Sequence, residues 1–227
     1  MYLYETHLHT SPVSKCANAS AREVVEFYKS LGYAGIFVTN HFIDGNISIP
    51  YDTPYEEKIN FYFKDYEDAK KIGDEIGLDV FPGIEMSYKG TDFLIYGPDK
   101  EWYLSHPEIA NMRITEKLTL LAHDGALIIQ AHPFRESAYI EHIRLFPRYV
   151  HGVEIFNACR AEFENSMAKI YAKHYSLLSF AGSDNHSGKR KTTLSGVKFS
   201  SKITDVWDFV FKVKDGLAKT FTKELEK

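Results

Sequence analysis

The sequence predicts an α/β protein, a mostly parallel sheet closed into a small β/α barrel with its helices outside. Strand-like apolar runs alternate with helical stretches along the whole 227 residues, the beat of consecutive βα units. About seven strand candidates arise, few enough for either a small barrel or an open doubly wound sheet. The residues able to do chemistry follow the ends of many different strands, which favours the barrel. No Pro-, Gly- or Ser-rich linker divides the chain, so residues 1–227 are read as one domain.

The elements follow in order. Met1 to Tyr4 is a short first strand. Ser20 and Glu23 form a capping box, Val24, Phe27, Tyr28 and Leu31 make one apolar stripe, and Gly32 stops the helix. Ile36 to Thr39 is β-rich. Tyr62, Tyr66, Ala69 and Ile76 mark a second helix that ends at Gly77, with strands near Val80 and over Thr91 to Tyr96. Ile114, Leu118, Leu121 and Ala122 line a helix ending at Asp124-Gly125, before the strand Ala126 to Gln130. Strands Val153 to Phe156 and Leu177 to Ala181 flank a helix with the stripe Phe163, Met167, Ile170, Tyr171 and His174. A strand over Val197 to Ser200 precedes a helix carrying Val206, Phe209, Val210 and Val213. Between strands, Phe42 to Phe63 is longer than a usual βα loop of about 2 to 6 residues and is either a lid or an insertion packed on the barrel.

Composition excludes several classes. With 27 Lys and Arg against 31 Asp and Glu the net charge is -4, which gives no global positive field and no extended basic track for nucleic acid. Two cysteines, Cys16 and Cys159, are too few for a disulfide scaffold. No run approaches the roughly 18 to 20 apolar residues of a membrane span, and MYLYETHLHT lacks the pattern of a secretory signal, so a cytoplasmic protein without a membrane partner is expected.

The chemistry lies in the histidines and carboxylates. His7 and His9 stand two apart after the first strand, and residues i and i+2 of an extended chain point to one side. His41 follows Ile36 to Thr39, Glu85 lies just past Val80 and Phe81 where Pro82 and Gly83 turn the chain, and His132 ends the strand Ala126 to Gln130. Asp184 and His186 repeat the i, i+2 spacing after Leu177 to Ala181. These seven donors exceed what one tetrahedral ion needs, and a carboxylate such as Glu85 can bridge two ions, which points to a polynuclear site. Imidazole with carboxylate suits zinc, manganese or iron better than magnesium or calcium.

The ordered motifs HLH, TNH, GIE, AHP and GSDNH, spread over residues 3 to about 200, resemble the PHP family, the polymerase and histidinol phosphatase domain. The resemblance implies a distorted seven-stranded barrel with two or three divalent ions that hydrolyses phosphoesters. By it, His7, His9, Glu85 and Asp184 would hold one ion, Glu85 and His132 a second, and His41 and His186 a third. Two departures stand out. Many members have an Asp or His about five residues after HxH, where this chain has Ser14, Lys15 and Cys16, so Cys16 is a candidate thiolate ligand or else a buried small hydrophobe. Asp92 stands where the family often has a histidine ligand, and is read as a metal ligand in its place or as a strand-end aspartate.

The expected reaction is hydrolysis of a small phosphomonoester, similar to histidinol phosphate, by a metal-activated hydroxide held by Glu85 and Asp184, with His186 or His41 protonating the leaving alkoxide. Arg135, Arg160 and Arg190 are the candidate phosphate-binding cations, the Lys189 to Lys191 stretch being equally readable as a solvated loop. Glu154 is either an orienting partner of a ligand imidazole or a carboxylate paired with Arg160. Two other readings stand beside this one: a carbon-centred amidohydrolase, which lacks a strand-end lysine for a bridging carbamate here, and a non-catalytic metal-binding domain.

Overall fold

A computed structural model describes residues 1–225. In chain order the strands are β1 (Tyr2–Glu5), β2 (Gly35–Val38), β3 (Asp79–Pro82), β4 (Ile84–Tyr88), β5 (Thr91–Tyr96), β6 (Leu127–Ala131), β7 (Gly152–Asn157), β8 (Leu178–Gly182), β9 (Thr193–Phe199) and β10 (Lys219–Glu224). The α-helices are α1 (Ala21–Ser30), α2 (Tyr55–Ile76), α3 (Lys100–Ser105), α4 (Ile114–His123), α5 (Glu162–Tyr175) and α6 (Val206–Lys214).

Local signals explain most boundaries. The capping box of α1 is formed, with the Ser20 side chain accepting from the Glu23 amide and the Ser20 amide donating to Glu23 at 2.8 Å. Gly77 ends α2 with φ 76°, a left-handed turn that glycine adopts without strain. That helix begins earlier than the periodicity from Tyr62 suggests: it starts at Tyr55, after Pro54, so a large part of the supposed lid is helix. Ile59, Tyr62 and Phe63 are buried against Phe42, Tyr103 and Leu118, so this half of the segment belongs to the core. On α5 the expected stripe is also displaced. Phe163 and Ile170 are exposed, and the packed face is Asn165, Ala168, Tyr171 and Ala172. Asn165 is buried because its Oδ1 accepts the Asn157 amide at 2.9 Å, a polar anchor that an apolar-periodicity reading passes over.

The sheet is less parallel than expected. Strands order as β10-β9-β1-β2-β3 in one five-stranded sheet and β4-β5-β6-β7-β8 in another. Pairs β1–β2, β2–β3, β6–β7 and β7–β8 are parallel, and β1–β9, β9–β10, β4–β5 and β5–β6 are antiparallel. The β4–β5 hairpin turns on Lys89 (φ 49°) and Gly90 (φ 82°), two successive left-handed residues of the kind tight hairpins need. The ladders therefore do not show one seven-stranded barrel. Among the described residues the two sheets meet instead through isolated parallel bridges, Leu8 with Asn185 and His41 with Glu85.

Between the sheets lies an aromatic core. Phe209 of α6 packs its ring against Phe37 of β2, Tyr96 of β5, Phe180 of β8 and Phe199 of β9, strands drawn from both sheets. Full burial of such a ring contributes about 1.5–3 kcal/mol. The polar strand ends are thereby left as the place where chemistry can be arranged. No described helix is long and apolar enough to cross a membrane.

Candidate metal centre

The end of β1 is set by a buried carboxylate. Glu5 Oε1 accepts the amides of Thr6 (2.9 Å), His7 (3.0 Å) and Ser183 (3.0 Å), and its Oε2 accepts from the Tyr28 hydroxyl at 2.7 Å. The next residues run between the ends of β2 and β8: the Leu8 amide donates to Thr39 Oγ1 at 3.0 Å and the His9 amide to Asn185 O at 2.9 Å. Extended alternation then sends Leu8 into the apolar core and His7 and His9 to the opposite side, where both are fully buried.

Glu85 is the second residue of β4, within the strand rather than in a turn after β3. His132 directly follows β6 and Asp184 lies just beyond β8, and both have left-handed backbone, φ 25° and φ 52°. Such conformations cost about 1–3 kcal/mol each in non-glycine residues and persist where the surroundings over-determine them.

These placements converge. Glu85 Oε1 lies 3.2 Å from His7 Nε2 and 3.2 Å from His132 Nε2, while Oε2 lies 2.6 Å from His41 Nδ1 and 3.6 Å from His9 Nε2. One carboxylate thus touches four imidazoles. Asp184 Oδ1 is 3.5 Å from His7 Nε2, 3.3 Å from His9 Nε2 and 3.4 Å from His186 Nδ1. Three overlapping groups bring ligand atoms within 4.8 Å of one another: His7, His9 and Asp184; His7, Glu85 and His132; His9, His41 and His186. Asp92 joins none of them. It is buried at the edge, with Oδ2 3.9 Å from His132 Nε2 and 3.4 Å from Arg135 Nη1.

The donor set fits cations. Glu85 Oε2 and His41 Nδ1 approach closely, yet neither makes an aligned hydrogen bond, and both are buried atoms. His7 Nε2 and His9 Nε2 are 3.2 Å apart, with room for one proton between two lone pairs. Buried polar atoms left in this state are costly unless another partner completes them.

Electrostatics agree. Burial alone would raise the Glu85 and Asp184 carboxyls, but His41 and His7 hold Glu85, and His7 and His9 hold Asp184, well below the usual carboxylate range. Burial would likewise push His7 down, yet Asp184, Glu154 and Glu85 keep it well above an ordinary imidazole. His41 and His132 are raised against burial mainly by Glu85, and His186 is pushed up to about 10 by Cys159, Cys16 and Asp184. His9 moves the other way, lowered by burial and by His186 and His41. Cys16, despite burial, is drawn down to about 6 by His186 and His41. Without a cation the cluster holds its charge balance with protons on imidazoles. Binding of a divalent ion at pH 7 is therefore expected to release protons from His7, His41, His132 or His186, and affinity rises with pH, for His186 up to about 10. Calorimetry in buffers of different ionisation enthalpy measures this release. A proton count of zero would contradict the assignment.

Surrounding groups hold the imidazoles in place. Glu154, fully buried on β7, has Oε1 3.0 Å from His7 Nδ1, and its Oε2 accepts the His132 amide (3.0 Å) and Asn157 Nδ2 (2.9 Å). Of its two expected roles, orientation of an imidazole is therefore what the contacts show. Ser14 Oγ lies 3.3 Å from His9 Nδ1, accepts the His41 amide at 3.0 Å and donates to Asn40 Oδ1 at 2.8 Å. Glu5, Asn40 and Asn157 were not anticipated: they carry no spacing signal, only adjacency to the HLH, TNH and FNAC segments.

A cavity of about 610 Å³ opens over the cluster, lined by Cys16, His41, Glu85, Asp92, His132, Asp184 and His186 and by the cations Lys89, Arg135 and Arg160. Arg160 Nε is buried without a partner. Arg135 is held by Asp92 and by the Tyr139 hydroxyl. Arg190 is exposed in the 3₁₀ turn Gly188–Arg190 and does not line the cavity, so this third cation is not brought to the site. Neighbouring Lys191 reaches inward instead, donating to Ala158 O and to Cys159 Sγ, both at 2.9 Å.

No protein-family model matches the chain. An uncharacterized protein of Methanocaldococcus jannaschii is 34% identical over 115 residues, 47% of this chain, and the chain spans about half the length of that relative, 46%. Among solved structures, a two-domain protein from Bacteroides vulgatus described as containing a predicted PHP-like metal-dependent phosphoesterase is similar at TM-score 0.72, with 12% identity over 97% of this chain and 64% of that one. A protein from Bifidobacterium adolescentis, provisionally described as a metal-dependent phosphoesterase, aligns at TM-score 0.53 and 12% identity over 82% and 88% of the two chains. An amidohydrolase from Chromobacterium violaceum with bound sulfate also aligns at 0.53, with 10% identity over 83% and 89%. At these identities the shared feature is the mixed α/β fold.

Proposed function

We propose that this chain is a metal-dependent phosphoesterase of the PHP type, acting on a small phosphomonoester of the histidinol phosphate kind as one hydrolase domain. The observation that carries the reading is Glu85, whose two oxygens touch four imidazoles at the floor of a cavity walled by arginines. The distorted seven-strand ring belongs to this reading too, and what supports it is that the segments after β1 and β2 bridge to the segment after β8 and to β4.

Two or three ions, zinc, manganese or iron, would be held by His7, His9 and Asp184, by Glu85 and His132, and by His41 and His186, with Asp92 at the margin. Bound there, such ions supply Lewis acidity toward phosphate oxygens and a lowered pKa for water. The chain does the rest. Glu154 holds the His7 ring through Nδ1, leaving Nε2 directed at Glu85 and Asp184. Arg160, with its unpartnered Nε, and Arg135 at the cavity wall bind the non-reacting phosphate oxygens. Asp184 and Glu85 hold the attacking side of the site in its ionised state. In a centre of two ions, where it is not a ligand, His186 at the cavity edge would return a proton to the departing alcohol.

The test is turnover of p-nitrophenyl phosphate by protein reconstituted with zinc, manganese or iron, run beside a panel of amides and lactones. Phosphate release with Arg160→Met raising KM by about tenfold or more supports the reading, the loss of one charge-assisted contact being worth about 1.5–3 kcal/mol. Hydrolysis of an amide or lactone alone would favour the amidohydrolase reading, for which the Chromobacterium violaceum structure gives a specific reason. Metal uptake with no hydrolysis would leave a binding domain.

A further inference from the structure

We propose that Cys16 is a thiolate ligand that joins His41 and His186 on one ion beside His9, so that this corner of the centre prefers a thiophilic ion such as zinc to manganese or magnesium. The inference deepens the metal-dependent reading above and rests on it.

The turn that carries Cys16 is pinned on both sides of the sulfur. The Lys15 amide donates to Asn46 O at 3.0 Å, in the loop that follows His41, and the Asn18 amide donates to His186 O at 2.7 Å. The same two segments that deliver His41 and His186 therefore also fix the height of Cys16. Its Sγ lies 3.1 Å from His41 Nε2, in the cavity that His186 also lines. The His9 ring stacks on that of His186 with centroids 4.1 Å apart and lies 4.4 Å from that of His41, and ligand atoms of all three fall within 4.8 Å.

No other side chain of this turn competes for the role. Ser14 Oγ is committed to Asn40 Oδ1 and to the His41 amide, and Lys15 is exposed. At the opposite edge of the His41 ring, the 1%-exposed Glu85 has Oε2 without a hydrogen-bond partner beside His41 Nδ1, a second set of buried donor atoms at this centre that a cation would satisfy. His9 Nε2 faces His7 and Asp184, so His41, His186 and the Cys16 thiolate would supply three donors here and solvent the fourth, a nitrogen and sulfur set of the kind zinc takes. Sulfur among the donors shifts preference toward softer ions, since manganese and magnesium favour oxygen. Binding forms the metal–sulfur bond and passes the thiol proton to solvent.

Cys159, the chain's other thiol, serves as the internal control. It lies on the His186 side too, but its sulfur accepts from Lys191 Nζ at 2.9 Å and donates to Asp184 O at 3.1 Å.

Cobalt reconstitution of the full chain tests the assignment. Wild type and Cys159→Ser should show a near-ultraviolet thiolate-to-cobalt charge-transfer band that Cys16→Ser loses while keeping its visible ligand-field bands. Ligand-field bands with no charge-transfer band in wild type, or a band retained in Cys16→Ser, would overturn the ligand and leave the metal-dependent reading standing. Failure to take up cobalt at all would overturn both. A wild-type measurement guards against a misfolded variant: zinc should block iodoacetamide labelling of Cys16 while exposed Cys159 still reacts. Equal labelling of Cys16 with and without zinc counts against the proposal.

Discussion

Glu85→Gln is expected to lower phosphomonoester turnover by more than about 100-fold, since outer partners of metal ligands alone are typically worth 10–100-fold and Glu85 is in direct contact with His7, His132 and His41. The substitution keeps the shape and removes the charge. It leaves His41 and His132 without their main raising partner, so His41 in particular falls back toward an ordinary pKa. Metal content by elemental analysis should drop along with kcat, while the metal-free variant still folds, because its strand position between Ile84 and Met86 is unchanged. Turnover within threefold of wild type, at full metal loading, would remove Glu85 from the centre.

The second large effect is expected from Gly182→Ala. A Cβ at Gly182, the last residue of β8, would stand 2.4 Å from His7 Cβ and 2.6 Å from Glu154 Oε1. Neither neighbour can give way, since His7 is held through its amide by Glu5 and Glu154 by the His132 amide and Asn157. Overpacking of well-packed interiors costs about 1–3 kcal/mol, and here the displaced atoms are the His7–Glu154 pair itself. The variant should therefore both unfold at lower urea and bind zinc at least tenfold more weakly in a chelator competition. A wild-type urea midpoint and affinity would mean that β8 does not press against His7.

These two residues also show what a sequence makes visible. The i, i+2 pairs His7/His9 and Asp184/His186 are legible because extended backbone has one simple period, and the structure does bring them to one place with His41 and His132. Glu85 lies among the histidines, but on a strand rather than after the turn that the sequence suggests. The chain does not merely turn at Pro82 and Gly83 but starts a new antiparallel strand, because Lys89-Gly90 closes a hairpin that no Asn-Gly or Asp-Gly signal announces. Gly182, Glu5 and Asn40 act through contacts across the fold, which local periodicity does not encode. The same holds for β10, whose pairing with β9 is long-range, and for α5, which packs through small residues and a buried asparagine instead of its largest apolar side chains.

The two sheets, packed on a shared aromatic core and bridged at Leu8 with Asn185 and at His41 with Glu85, divide the ligands between them. His7, His9 and His41 follow strands of one sheet; Glu85, His132, Asp184 and His186 belong to or follow strands of the other. An ion held by both groups is thus a rivet across two half-shells. Its release would loosen the two shells at these bridges while the aromatic core around Phe209 still holds them together, so that a protein stripped of metal should be cleaved first along these seams.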